Sequence, residues 1–148
     1  MKTYVITLSR SFLAGHPKAG EPTGFKDKFL RKEKIHTIRC NYELWKARLE
    51  EVKRGEAALS IREWTGAPYR SPQAEIRLLT AADGVSVQKL EFLGRWIVDR
   101  KQILETTEAL EILAGNDGLE YKDWEAWFAK ADKTKPFAII HFTPYKYE

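Results

Sequence analysis

Lys34, Thr37 and Arg39 stand in one short run, Lys34-Ile35-His36-Thr37-Ile38-Arg39, which sets an amine, a hydroxyl, an imidazole and a guanidinium on a single segment. A hydroxyl beside a lysine can act as a nucleophile with its base. An arginine two residues on can hold a carbonyl or a phosphate through two parallel hydrogen bonds. Ile35, Thr37 and Ile38 are β-branched and favour a strand. Side chains alternate along a strand, so Thr37 and Arg39 share one face and His36 and Ile38 the other. Strict alternation puts Lys34 with His36. It joins Thr37 only where the chain is still turning into the strand, which the charged run Arg31-Lys32-Glu33 allows. The same residues also describe a half-buried strand with solvated cations at its ends.

The run Lys-x-x-Thr-x-Arg, preceded by a basic segment, resembles the signature of the ASCH domains, members of the PUA-like β-barrel superfamily. A second match lies far downstream. Asn116-Asp117-Gly118-Leu119, then Trp124, Trp127 and Phe128, then Phe137–Phe142, resembles the close of those domains, where an acidic turn leads into a short helix and a last strand. The resemblance implies an α+β fold, a small mixed PUA-like barrel with helices packed outside, in one domain over 1–148. Small bacterial members of the family include N4-acetylcytidine amidohydrolases with a lysine, a threonine and an acidic residue as their proposed site. Carried over, these fall on Lys34, Thr37 and Asp117 as catalytic residues, with Arg39 binding substrate. The family pattern has glutamate where Asp117 stands, one methylene longer, and Glu120 is the neighbouring alternative. Turn chemistry alone also accounts for Asp117, since Asp and Asn hydrogen-bond their own backbone in tight turns.

These residues need elements to position them. At 148 residues the chain is long enough for one domain with a proper core. Residues 1–63 hold 14 Lys/Arg against 8 Asp/Glu, and residues 64–148 hold 11 against 13. The basic half, which contains Lys34, suits an anionic partner such as RNA or a nucleotide. The single Cys40 excludes an internal disulfide and fits a reducing cytoplasm. Arg10 interrupts the first apolar run too early for a signal peptide, and no apolar segment approaches the ~20 residues of a membrane span. No histidine–carboxylate spacing marks a metal site and no glycine-rich loop cradles a phosphate, so no cofactor is indicated.

In chain order, alternation predicts a strand over 3–9. Gly15, Pro17, Gly20, Pro22 and Gly24 predict a loop over 13–24 with His16 solvated in it. Phe25 and Phe29 share one face of a helical turn. Asn41 caps a helix carrying Tyr42, Trp45, Leu49 and Val52, with Gly55 as its stop. Cys40 reads as a small buried residue. Residues 57–64 and the segment around Ile76 and Leu78 form a hairpin whose loop carries Trp64, Tyr69 and Arg70. Aromatic faces stack on bases and arginine binds phosphates, so this loop is a candidate binding element for a modified nucleoside or RNA. It also reads as two aromatics pinning a connection to the domain. Ala82-Asp83-Gly84 reads as a hairpin turn. The apolar phase shift from Val87 to Leu90 suggests a β-bulge in the strand that follows. Trp96–Val98 is a further short strand. Thr106 or Thr107 caps a helix ending at Gly115, and Phe137–Phe142 is a strand, buried on both sides or closing the barrel, that includes a core histidine, His141.

Two function classes remain open, beside the plainer one of a protein-binding domain whose basic face meets an acidic partner. One is an amidohydrolase acting on an N-acylated nucleoside through Lys34, Thr37 and Asp117. The other is a non-catalytic module that binds RNA or a modified base through Lys34, Arg39, Trp64, Tyr69 and Arg70.

Overall fold

The computed structural model describes residues 1–148 as a mixed α+β fold of eight strands and four helices. In order these are β1 (Lys2–Thr7), α1 (Phe25–Leu30), β2 (His36–Cys40), α2 (Tyr42–Lys53), β3 (Ala57–Trp64), β4 (Gln73–Leu79), β5 (Ser86–Phe92), β6 (Trp96–Val98), β7 (Gln102–Leu104), α3 (Thr107–Asn116), α4 (Tyr121–Trp127) and β8 (Phe137–His141). The strands form two sheets, ordered β1-β3-β4 and β2-β8-β5-β6-β7. β1 runs parallel to β3, and every other pairing is antiparallel. No ladder joins the two sheets, so strand pairing alone does not close a barrel. One apolar cluster nevertheless takes residues from both sheets and from the helices.

The central strand of the larger sheet is β8. It pairs with β2 on one side and β5 on the other, and all five of its residues are buried, which explains its unbroken apolar run. α2 packs against β3, β5 and β8 and so ties the two sheets together. Its start is fixed by Asn41, whose Oδ1 accepts from Leu44 N at 3.3 Å, and Trp45, Leu49 and Val52 are its buried stripe. Burying side chains of this size contributes about 1.5–3 kcal/mol each.

Some expectations about the connections need correction. Ala81–Asp83 is a single 3₁₀ turn, closed by Thr80 and Asp83, that carries the chain from one sheet to the other; β4 and β5 do not pair, so it is no hairpin. β5 has no bulge. It pairs residue for residue with β8 from Ser86 to Leu90. The apolar phase shifts because Ser86 and Gln88, both polar, are the residues that face inward. The irregular register lies between Ile61 and Arg62 instead. α3 continues one residue past Gly115. Cys40 is exposed. β7 had no pattern long enough to mark it. No helix is long and apolar enough to cross a membrane.

Candidate functional site at the seam of the two sheets

The edges β1 and β2 approach each other without pairing, and side chains bridge the gap. Arg39 Nη2 donates to Thr7 O at 2.8 Å. Beside this bridge is a cavity of about 300 Å³ lined from β1 by Thr7 and from β2 by Thr37, Ile38 and Arg39. That volume is at the lower end of small-ligand pockets. Lys34 and Asp117 reach the same cavity from chain positions 83 residues apart. Lys34, Thr37, Arg39 and Asp117 are therefore gathered in one place.

Lys34 lies just ahead of β2, where alternation has not yet begun, and this allows it to share a cavity with Thr37. Backbone bonds stitch this segment to the acidic turn and to the end of β8: Ile35 N donates to Asn116 O at 2.8 Å, and Phe142 N to Ile35 O at 2.9 Å. Lys34 Nζ donates to Asp117 O at 2.6 Å and to Asp117 Oδ1 at 3.2 Å, and it lies 4.3 Å from the centre of the Phe25 ring. The amine sits at the C-terminal end of α3, where the helix dipole favours a cation. Both side chains are almost fully buried, 2% and 6% exposed. Burial pushes the Lys34 pKa down and outweighs the opposing pull of Asp117, while Arg39 and Lys28 lower it further.

Gly118 makes the turn possible. Its φ is +88°, and a Cβ there would come within 3.1 Å of Lys34 Cδ and 3.2 Å of Phe25 Cδ1. Only glycine meets both requirements. Lys28 Nζ caps the turn from outside by donating to Gly118 O at 2.8 Å.

Thr37 is 7% exposed and faces the cavity. The hydrogen bonds of Lys34 go to Asp117 and not to Thr37. Arg39 is held by its one bond to Thr7, and its Nε is buried with no protein partner. Burial lowers its pKa and Asp117 raises it.

Trp64, Pro68 and Tyr69 form part of the cavity wall. The Trp64 and Tyr69 rings lie 5.1 Å apart, yet Tyr69 is 88% exposed and has a positive φ of 63°. Arg10 tethers the base of this loop through Trp64 O and Thr65 O at 3.3 and 2.9 Å. Arg70 does not line the cavity, so of Trp64, Tyr69 and Arg70 the loop brings only the two aromatics to the candidate site. Glu120 is exposed and outside the cavity, leaving Asp117 as the carboxylate that lines it.

Leu13, Phe25, Leu119, Trp127 and Phe128 form much of the remaining wall. In the sequence they read as loop or core residues, and nothing in their types marks a site. His16 is not solvated. It is buried, with Nε2 3.0 Å from Asp123 O and Nδ1 accepting from Lys18 N at 3.0 Å, and it pins the 13–24 loop against α4. His36 does not line the cavity, and its Nδ1 lies 3.4 Å from Asp117 Oδ1. No group of three or more His, Cys, Asp or Glu side chains is arranged to hold a metal ion. Comparisons with protein-family models, curated proteins and solved structures give no match.

Proposed function

We propose that the protein is an ASCH-type amide hydrolase of PUA-like architecture that acts on an N-acylated nucleoside. The observation that carries this reading is the meeting of Lys34, Thr37 and Asp117 in one small cavity, with the amine nearly excluded from water. Desolvation is what a lysine needs to act as a base near neutral pH. In the proposed reaction Thr37 Oγ1 forms a bond to the acyl carbon and its proton passes to Lys34 Nζ. Arg39, which has an unpartnered Nε–H, binds the developing oxyanion. The carbon–nitrogen bond breaks, and the departing nitrogen takes a proton supplied through the Lys34–Asp117 pair. Water then hydrolyses the threonine ester and releases the acid. Thr37 and Lys34 move into hydrogen-bond contact when substrate fills the cavity, since catalytic contacts are commonly loose without ligand. Trp64 and Tyr69 flank the base, and the open seam between β1 and β2 takes the place of strand closure in the barrel.

The test is turnover of N4-acetylcytidine and related N-acylated nucleosides by the wild-type chain and by Thr37→Ala. Turnover by wild type that Thr37→Ala abolishes, with the fold unchanged by circular dichroism, supports the mechanism. Retained turnover in Thr37→Ala refutes it. The pairing of half-buried Trp64 with exposed Tyr69 favours a second reading, a binding module for RNA or a modified base. Absent turnover together with tryptophan-fluorescence quenching by short RNAs, weakened by salt, selects that reading.

A further inference from the structure

Behind the cavity is a polar cluster that the proposed reaction does not use. Ser86, His141 and His36 form one rung across β5, β8 and β2, and all three are buried. The tail after β8 folds back against this rung. Gln88 grips it through both backbone groups of Tyr147: Tyr147 N donates to Gln88 Oε1 at 2.9 Å, and Gln88 Nε2 donates to Tyr147 O at 2.7 Å. A backbone N–H only donates and a carbonyl only accepts, so the Gln88 amide has one orientation. Gln88 Oε1 also lies 2.9 Å from His141 Nε2, which must then carry the proton of that ring.

The clamp seats the Tyr147 ring in the interior, 7% exposed. Its hydroxyl accepts from Asn116 Nδ2 at 3.0 Å and lies 2.7 Å from His36 Nε2. A phenol has one proton to give, and here the receiver is His36 Nε2. Burial holds His36 below its ordinary pKa, so the ring is neutral and its single proton is left to Nδ1. The charged groups that act on this ring are Asp117 and Lys34, with neutral His141 packed against it at 5.5 Å. Nδ1 makes no hydrogen bond of ordinary geometry, and Asp117 Oδ1 lies 3.4 Å from it.

We propose that Tyr147 and His36 form a directional polar relay that positions Asp117 from behind the cavity: the Tyr147 hydroxyl fixes His36 as the Nδ1–H tautomer, and this N–H, 3.4 Å from Asp117 Oδ1, draws the carboxylate electrostatically into place beside Lys34. The relay returns to its start, because Asn116, which donates to Tyr147, is the residue before Asp117 in the chain. His36 and Tyr147 are positioning residues; neither lines the cavity. Their catalytic consequence rests on the reading of Asp117 given above, while the tautomer assignment does not.

The experiment has one arm for each. Long-range proton–nitrogen correlation NMR on the ¹⁵N-labelled full chain at pH 7 should show His36 protonated at Nδ1 and His141 at Nε2. A His36 ring protonated at Nε2 overturns the relay. Tyr147→Phe should leave the fold intact and remove the single tautomer of His36; an unchanged His36 spectrum overturns the role of Tyr147. In the kinetic arm, His36→Asn keeps an N–H near the place of Nδ1–H, and His36→Leu removes it. Turnover of N4-acetylcytidine should fall about tenfold or less in His36→Asn and about a hundredfold in His36→Leu, in the range found for partners that orient functional ligands. Equal losses in both overturn the positioning role. Should His36→Leu fail to fold, Tyr147→Phe decides, with about tenfold lower turnover expected and unchanged turnover against the proposal. A wild-type chain that hydrolyses no acyl nucleoside removes the reaction but leaves the NMR arm to judge the relay.

Discussion

Two aromatic-walled hollows lie on either side of Phe128, which lines both. The one at the seam of the sheets measures about 300 Å³ and contains Lys34, Arg39 and Asp117. The other, walled by Phe92, Trp96, Tyr121 and Trp124, is larger at about 490 Å³. Size does not distinguish them as candidate sites; the state of their charges does. In the larger hollow Arg95 and Glu105 pair at 2.9 Å with side chains 50% and 55% exposed. At the seam Lys34 and Asp117 pair at 3.2 Å with 2% and 6% exposed. The first pair keeps its water, which screens it. The second has given up its hydration and depends on its partners, so changes in charge there have large effects. Buried, mutually dependent charge marks a site better than volume does.

The sharpest way to break this contrast is to delete one amine from each hollow. Lys34→Met should destabilise the protein by about 3–5 kcal/mol, because it strands a buried carboxylate. Lys133→Met, which removes bonds to the carbonyls of Phe128 and Ala129, should cost about 1 kcal/mol or less. Urea unfolding of the two variants gives the comparison directly. Lys34→Met combined with Asp117→Leu should recover much of the loss, since the stranded charge is then gone. Equal costs for the two single variants would erase the distinction.

Glycines give a second pair. Gly118 and Gly94 both have positive φ, +88° and +78°, but a Cβ at Gly94 meets nothing within 4 Å. Gly94→Ala should therefore show backbone strain alone, about 1 kcal/mol. Gly118→Ala adds contacts at 3.1–3.3 Å with Lys34 and Phe25 and should cost about 2–3 kcal/mol. Thermal unfolding separates the two.

Acid should act through the polar rung behind the seam. His141 has its pKa lowered to about 3 by burial and by the neighbouring His36, whose own pKa is also lowered. For a base with a depressed native pKa the unfolded chain takes up the proton first. Stability is therefore full above pH 6.5 and falls as pH drops from there toward about 3. One such group changes stability by about 1.4 kcal/mol per pH unit, or about 2 kcal/mol between pH 6.5 and 5. His141→Gln can keep a donor toward Gln88 while losing the titration, and its urea midpoint should differ less between pH 7 and pH 5 than that of the wild type.

Legibility from sequence followed the same division. α2 was readable because Asn41, the Trp45-Leu49-Val52 stripe and Gly55 all point to one answer. β8 was readable because a strand covered on both faces needs apolar residues on both. Lys34, Thr37 and Asp117 could be named as candidates by residue type and resemblance, and the structure gathers them. The interior of β5 could not be read, because Ser86 and Gln88 face inward and periodicity treats polar residues as outward-facing. Gln88 is there to hold Tyr147, a contact across 59 residues that no local window contains. Sheet membership was hidden for a similar reason: Thr80–Gly84 has the residues of a hairpin turn, and only tertiary packing decides that the chain changes sheets there.

The smallest expected effect tests the weak side of the contrast. Glu105→Gln removes the charge that meets Arg95 on the rim of the larger hollow. Both groups remain hydrated, so the Coulomb energy they lose is small and largely offset by the freedom their side chains regain. The urea midpoint should stay within error of the wild type at low ionic strength and should match it in 1 M salt, where the Debye length is only about 3 Å. The corresponding change at the seam, Asp117→Asn, removes a carboxylate from beside a buried amine and leaves Lys34 without a counter-charge. Its midpoint should fall clearly, and salt should not restore it, because ions do not reach a pair that water does not reach. A salt-sensitive loss in Asp117→Asn, or a salt-insensitive loss in Glu105→Gln, would mean that exposure has been assigned to the wrong hollow.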